Sequence, residues 1–108
     1  MPRIIGEVYK VIVDRPLGSI HPNYPELKYQ VNYGYIEGIM AADGEEQDAY
    51  ILGVDEAVSK FEGKLIAIIH RFNDVENKWV ISNKIYTKEE IYEKVKFIEK
   101  FFKIEILM

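Results

Sequence analysis

Short apolar runs separated by turn residues fill most of the chain, and one stretch near the C-terminal end has clear helical periodicity. Val8 to Val13 is rich in β-branched residues, and Leu65 to Ile69 is continuously apolar, as in a strand buried on both faces. Lys78 to Ser82 follows after a polar turn, so the last two runs are predicted to form a hairpin. Weaker strand patterns cover Tyr35 to Met40 and Ala49 to Leu52.

The helical stretch has a well-defined start. Thr87 is a good N-cap, and Glu90 three residues later completes a capping box. Apolar residues then repeat at helical spacing and predict one buried face: Ile91, Val95, Ile98 and Phe102. The tail from Ile104 to Leu107 is compatible with a short final strand.

Strands followed by one C-terminal helix predict a mainly β fold of the α+β class, a small barrel or sandwich closed by the helix. The 108 residues fit a single domain, 1–108. A hydrophobic content of 48% excludes a disordered chain. Residues 16–28 contain three prolines and a glycine, and are predicted to form a long irregular connection.

Composition also limits the functions. The chain has no cysteine, which excludes disulfides, zinc–thiolate sites and thiol catalysis and fits a cytoplasmic protein. A net charge of -4 disfavours general binding to nucleic acid, whose phosphates attract basic surfaces. The longest apolar run is too short to span a bilayer, so no membrane partner is expected.

An acidic turn is the first candidate site. Asp43, Glu45, Glu46 and Asp48 fall within six residues that also include Gly44. Carboxylate oxygens suit Mg²⁺ or Mn²⁺, so the turn predicts a metal site. The alternative is a solvated acidic loop, which is the usual state of an isolated run of charges.

A second group of charged residues follows the apolar run. Asp74, Glu76 and Lys78 alternate along the chain and would share one face of an extended segment. Two carboxylates beside a lysine suit a metal and the phosphate that it carries; the alternative is a polar hairpin tip. Arg15, at the end of the first strand, could grip phosphate through two hydrogen bonds or lie free on the surface.

The motifs together resemble a known family. An Asn-Tyr-Gly-Tyr sequence begins at Asn32, and an Asp-Gly-Glu-Glu-Gln-Asp turn begins at Asp43, ten residues after Tyr33. This pattern resembles the soluble family I inorganic pyrophosphatases, in which an Asp-x-Asp turn is followed by a third Asp. Asp43 and Asp48 stand at the first and third of these positions, and Glu45 stands in place of the middle Asp.

The likeness extends to both sides of the turn. Val13-Asp14-Arg15 is similar to the family's strand that ends in a phosphate-binding Arg, and Phe102-Lys103 falls where the family has Tyr-Lys. The second charged group is similar to the family's second cluster for metal and phosphate, with Glu76 in place of an Asp and a shorter loop. The chain is short and divergent: only fourteen residues precede Arg15, and Gln47 replaces a usually apolar residue.

The resemblance implies an OB-like five-stranded barrel and a Mg²⁺-dependent inorganic diphosphatase, with Mn²⁺ as an alternative ion. Such an enzyme hydrolyses pyrophosphate to two phosphates by attack of a water that the metal activates. The implied metal ligands are Asp43, Asp48, Asp74 and Glu76. The implied catalytic residues are Glu45, as the general base, and Tyr33, as a hydrogen-bond donor. The implied substrate-binding residues are Arg15, Lys78, Lys103 and Tyr33. A homo-oligomer is also implied.

Three classes of function stay open. The first is a hydrolase, whose departures at Glu45 and Phe102 suit weak catalysis or another small phosphoanhydride as substrate. The second is a non-catalytic module that binds phosphate or a nucleotide, which is favoured by the loss of the Glu and Lys that the family has before the Arg. The third is a barrel that binds single-stranded nucleic acid through its eight tyrosines and five phenylalanines, and the acidic charge argues against it.

Overall fold

A computed structural model describes residues 5–72 and 76–108. Across these ranges the elements follow in the order β1 (Val8–Arg15), β2 (Ile20–His21), β3 (Tyr24–Lys28), β4 (Asn32–Met40), β5 (Glu46–Ile51), β6 (Lys60–Arg71), β7 (Asn77–Ser82), α1 (Lys88–Glu99) and β8 (Ile104–Leu107).

Five strands close into a barrel. Their order is β1-β4-β5-β7-β6, and β1 pairs with β6 as well as with β4, which closes the sheet on itself. The pairing of β5 with β7 is parallel, the other barrel pairings are antiparallel, and β8 extends the sheet beyond β6. The predicted fold class, mainly β with a five-stranded OB-like barrel and one C-terminal helix, is confirmed.

The apolar run in the middle of β6 has a specific structural cause. The predicted hairpin of β6 and β7 is confirmed, and its register shifts between Leu65 and Ala67. This bulge adds a residue to one strand and changes which side chains face inward. Leu65 and Ile68 pack inside the barrel, whereas Ala67 and Ile69 pack on the other face, so the run is apolar without interruption.

Each face of the barrel sheet has its own apolar cluster. One contains Val11, Ile51 and Trp79 but no helix residue, and therefore fills the barrel interior. We call the other the outer cluster: Tyr29, Val31, Tyr50, Leu52, Ala67, Ile69, Val80, Ile91, Val95 and Phe97. Because it includes three residues of α1, this cluster joins the helix to the outside of the barrel.

The helix begins as predicted and ends earlier. Thr87 and Glu90 form the reciprocal capping box, with hydrogen bonds of 3.1 and 2.8 Å. Ile91 and Val95 are fully buried, but placing Phe102 on the buried face was wrong, because the helix ends at Glu99 and Phe102 is 38% exposed. Within the described residues, no helix is long and apolar enough to cross a bilayer.

The segment 16–28 was predicted to be an irregular connection, and that prediction was wrong for its second half. Strands β2 and β3 form a small hairpin in which His21 pairs with Tyr24. Proline lacks a backbone donor and glycine weakens strand propensity, so composition concealed the hairpin. It leads directly to Tyr29 of the outer cluster.

Candidate active site

The Asn-Tyr-Gly-Tyr segment in β4 divides into structural and site residues. Asn32 is fully buried; its Oδ1 accepts from the backbone amides of Leu17 (2.9 Å) and Val58 (3.2 Å), while Nδ2 donates to the Glu56 carbonyl. A Cβ on Gly34 would overlap the backbone of the paired strand β1, so this position must be glycine. These two residues hold β4 in place and so position Tyr33 between them.

The ammonium of Lys78 is the centre of the candidate site. Lys78 is 5% exposed, and its Nζ donates to Asp48 Oδ2 at 2.6 Å, the Tyr33 hydroxyl at 3.0 Å and Glu76 Oε2 at 3.1 Å. All three donor hydrogens of the ammonium are therefore engaged. Of the residues predicted from sequence, these four come together in the structure.

Strand alternation explains this convergence. Asp48 lies two residues before Tyr50 in β5, and Lys78 lies two residues before Val80 in β7. Tyr50 and Val80 belong to the outer cluster, so Asp48 and Lys78 emerge on that same outer face, where the apolar packing ends. Tyr33 packs against the cluster and contacts the Tyr50 ring edge-on at 5.0 Å.

Burial and charge fix the protonation of this group. Burial disfavours the charged lysine, but the Tyr33 hydroxyl and the Asp48 carboxylate outweigh it and hold the pKa of Lys78 above its usual range. Burial is also the main reason why the pKa of Tyr33 lies far above its ordinary value. Tyr33 therefore keeps its proton, and a hydroxyl that accepts from Lys78 can donate that proton to a ligand.

The acidic turn connects β4 to β5 and is mostly exposed. Gly44 has a positive φ of 85°, and its amide donates to the Ala41 carbonyl, which shapes the turn. Asp43 Oδ1 accepts from the Glu45 amide at 2.9 Å, so this carboxylate is used to hold the turn. Glu45 is exposed at the tip, free of the Lys78 group. The turn therefore presents carboxylates beside the Lys78 group without burying them.

Gln47 has a structural explanation. It is 5% exposed, and its Nε2 donates to the carbonyl oxygens of Asp48 (3.0 Å) and Asn77 (2.7 Å). The amide thus links β5 to β7 at the point where Asp48 and Lys78 must meet. An apolar residue at this position would leave the Asn77 carbonyl without this bond.

Two carboxylates of the site, Asp43 and Glu76, influence each other's ionisation. Bonding to the Glu45 amide and to Glu76 lowers the pKa of Asp43, while burial and the Asp43 contact raise that of Glu76 against the opposing effect of Lys78. Such a pair stays close either by holding a proton or by binding a cation, and hard oxygen donors suit Mg²⁺. The donor chemistry therefore fits a divalent ion.

The described residues do not form a complete metal site by themselves. No group of three or more Asp, Glu or His side chains in residues 5–72 and 76–108 is arranged to hold a metal ion. Asp74, a predicted ligand, lies outside the described residues. Asp48, another predicted ligand, is engaged by Lys78.

The predicted phosphate-binding cations lie in different places. Arg15 is half-buried beside Asp14 and interacts with the Tyr29 hydroxyl. The Tyr29 ring in turn contacts the ring of Tyr33. Burial raises the pKa of Asp14, and the nearby Asp48 reinforces this, so Asp14 is a further carboxylate near the site.

Lys103 is not brought to the Lys78 group. It is exposed, and its backbone carbonyl accepts from the Phe72 amide at 3.0 Å. A different cation lies near this point, because the Arg71 guanidinium stacks on the Phe102 ring at 3.7 Å from its centroid. The Phe102 ring thus covers a buried arginine.

Arg71, Glu99 and Tyr50 form a second buried ionic group. Arg71 Nε donates to Glu99 Oε1 at 3.0 Å and an Arg71 NH2 group to Oε2 at 2.6 Å, a bidentate pair. The Tyr50 hydroxyl also donates to Glu99 Oε2, at 2.6 Å, and burial together with Glu99 raises the pKa of Tyr50 far above its ordinary value. The pair with Glu99 outweighs burial and raises the pKa of Arg71.

Sequence reasoning missed this group, although the sequence contains a signal for it. Ile91, Val95 and Glu99 follow one another at intervals of four residues, which places the glutamate on the buried face of the helix. A charged residue at a core position of a helix predicts a buried partner.

A cavity of about 650 Å³ lies between these groups and the β2–β3 hairpin. Lys78, Tyr33, Tyr50 and Arg71 line it from the barrel. Its other walls come from the hairpin and from the residues around the C-terminal end of α1. Lys78 and Tyr33, the two members of the Lys78 group that line the cavity, therefore face an open space that can accept a ligand.

Comparison with known proteins adds the fold. No protein-family model matches the sequence, and no curated protein matches it either. Among solved structures, an inorganic pyrophosphatase from Ehrlichia chaffeensis matches with a TM-score of 0.70 at 12% identity, covering 95% of this chain and 86% of that one. The chain has the inorganic pyrophosphatase fold.

Two further pyrophosphatases support this assignment. The Helicobacter pylori enzyme matches with a TM-score of 0.65 at 13% identity, over 98% of this chain and 87% of that one. The Coxiella burnetii protein matches with a TM-score of 0.60 at 11% identity, over 96% and 88%. At these identities the pyrophosphatase fold is what the likeness shows, and activity must be argued from the site.

Proposed function

We propose that this chain is a Mg²⁺-dependent inorganic diphosphatase that hydrolyses pyrophosphate to two phosphates. The observation that carries the proposal is the buried Lys78 ammonium, held by Tyr33, Asp48 and Glu76 at the wall of an open cavity. Positioned charges of this kind stabilise phosphoryl transfer, which needs no covalent nucleophile on the protein. The pyrophosphatase fold is consistent with this chemistry.

The chain's own residues would bind the substrate. Lys78 carries a fixed positive charge at the cavity wall, and Tyr33 has a hydroxyl proton that can be donated to a phosphate oxygen. Arg15, beside Tyr29, would contact phosphate from the end of β1. Because strands hold these groups in place, the change needed on binding is local: Lys78 exchanges one of its three contacts for a phosphate oxygen.

Asp43, Glu76 and Asp48, with Asp74, would hold the metal. A bound Mg²⁺ supplies charge neutralisation and lowers the pKa of a bound water. Glu45 is exposed at the tip of the turn, and its backbone amide is fixed by Asp43. As general base it would accept the proton of the attacking water.

The direct test is release of phosphate from pyrophosphate with and without Mg²⁺. We expect release that requires the metal, and a loss of about 100-fold or more in kcat/KM for both Asp48→Asn and Lys78→Met. Asp55→Asn, an exposed carboxylate outside the site, is the matched control and should keep full activity. No release above a buffer blank by folded protein, with Mg²⁺ and Mn²⁺ each tried, would overturn the proposal.

A second candidate is a module that binds phosphate without turnover. It is favoured by the engagement of Asp48 with Lys78 and by the absence of a three-carboxylate cluster from the described part of the chain. Calorimetric binding of pyrophosphate to protein that releases no phosphate would establish this candidate instead.

A further inference from the structure

The cavity beside the Lys78 group has one wall that pyrophosphate does not use. Aromatic rings project into it from two segments: His21, Tyr24 and Tyr29 from the hairpin region, and Phe101 and Phe102 from the end of α1. Pyrophosphate contains no apolar surface, so it gains nothing from these rings. The volume of about 650 Å³ is within the range of about 300–1,000 Å³ that encloses ligands much larger than pyrophosphate.

The rings form a continuous row that reaches the charged end of the cavity. His21 lies 5.0 Å from Tyr24 and 6.0 Å from Tyr29, measured between ring centroids. Tyr29 in turn contacts Tyr33 edge-on at 5.6 Å. A ligand with phosphates at Lys78 would therefore extend along aromatic side chains towards the hairpin.

The outermost rings are largely uncovered. Tyr24 is 58% exposed and Phe101 is 69% exposed, and they lie on the two different segments that border the cavity. Exposed aromatic side chains that border one cavity can stack on a flat ring, whereas a single exposed ring elsewhere on the surface has no such role. Glu26, also at the cavity, supplies an acceptor for a sugar hydroxyl.

We propose that the site takes a nucleoside diphosphate, with the diphosphate at the Lys78 end and the base among the hairpin and helix-end rings. The proposal rests on the function proposed above and extends it to a substrate class. Hydrolysis would form a bond between the water oxygen and the terminal phosphorus and break the bridging P–O bond. The products are a nucleoside monophosphate and phosphate, and the water proton is released through Glu45.

The test compares binding of ADP and of pyrophosphate by calorimetry in Mg²⁺. We expect ADP to bind more tightly than pyrophosphate to the full chain. Tyr24→Ala and Phe101→Ala should each weaken ADP binding by about 10-fold, the order expected for loss of one stacking ring. Neither should change pyrophosphate binding. Phe72→Ala is the matched control, because Phe72 is 51% exposed and does not line the cavity.

The outcomes separate the two proposals. ADP binding that depends on Tyr24 and Phe101, with no phosphate released, supports the nucleoside site and contradicts the hydrolase. Hydrolysis of pyrophosphate by protein that binds ADP no more tightly than pyrophosphate overturns the nucleoside site alone. If light scattering shows instead that both alanine variants dissociate an oligomer while ADP affinity is unchanged, the rings form an interface between copies of this chain, and the proposal is also overturned.

Discussion

Among the described residues, the outer face of the barrel holds two buried cations, Arg71 and Lys78, and their charges are compensated in different ways. Arg71 is paired with Glu99, which is fully buried on the helix. Lys78 is paired with Asp48 and Glu76, whose side chains keep 31% and 26% of their surface exposed. The two cations are about equally buried, but the carboxylate of the first pair is closed to water whereas those of the Lys78 group are partly open.

This difference indicates different roles. A bidentate pair enclosed by protein has fixed geometry, and the loss of either partner leaves a charge without solvent. A cation with two partly exposed carboxylates can exchange a contact for a phosphate oxygen or a metal at smaller cost. We therefore infer that Arg71–Glu99 fixes the helix to the sheet, whereas the Lys78 group is arranged for binding.

The largest expected effect is on stability. Glu99→Gln removes the negative charge that compensates Arg71, and should lower the free energy of unfolding by about 3–5 kcal/mol. Urea denaturation followed by circular dichroism measures this. Glu93→Gln, on the exposed face of the same helix, is the matched control and should change little.

The double variant Arg71→Met with Glu99→Met tests whether the stability lost in Glu99→Gln comes from the uncompensated charge of Arg71. Replacing both members of a buried ion pair by apolar residues is often neutral or stabilising, so most of the lost stability should return. If Glu99→Gln unfolds at the same urea concentration as the unmodified protein, the pair does not fix the helix and the comparison between the two groups fails.

An intermediate effect should distinguish two tyrosines that touch each other. Tyr33→Phe removes the hydroxyl next to Lys78 and should lower kcat/KM for pyrophosphate by about 10- to 100-fold, the value of one hydrogen bond to a charged group. Tyr50→Phe removes the hydroxyl that donates to the Glu99 carboxylate, and should cost about 1.5–3 kcal/mol of stability with activity within about twofold. Steady-state kinetics and urea titration of both variants test this, and equal losses of activity would contradict it.

The sequence contained enough information for the strands and for most of the Lys78 group. Runs such as Leu65 to Ile69 reflect burial directly, and Asp48 and Lys78 stand out as charges next to such runs. The parallel pairing of β5 with β7, by contrast, was not predicted, because strand partners far apart in sequence are chosen by packing of the whole barrel.

The Arg71–Glu99 group was missed because charged residues are normally assigned to the surface. The apolar stripe was extended through Ile98 to Phe102, whereas the buried face follows Ile91, Val95 and Glu99. Helical periodicity identifies the buried face of α1 correctly only when Glu99 is accepted at one of its core positions. Hydrophobic pattern alone therefore cannot find a buried ion pair.

The smallest expected effect is a pH dependence of the open group. Burial, the largest cause, raises the pKa of Glu76 above 4.5, the Lys78 ammonium opposes this, and the contact with Asp43 reinforces it. The folded protein thus holds the proton of Glu76 more tightly than the unfolded chain, so this contribution to stability is complete below pH 4.5 and is lost as the pH rises through the raised pKa.

Glu76→Gln cannot ionise and serves as the reference for this effect. Between about pH 4 and pH 7, the free energy of unfolding of the unmodified protein should fall by less than about 1 kcal/mol relative to that of the variant, since Glu76 keeps solvent contact. Glu62→Gln, on the exposed side of β6, should show no such difference. A relative gain by the unmodified protein over this range would mean that the attraction of Lys78 outweighs burial at Glu76, and that this group is stabilised as an ion pair in the manner of Arg71–Glu99.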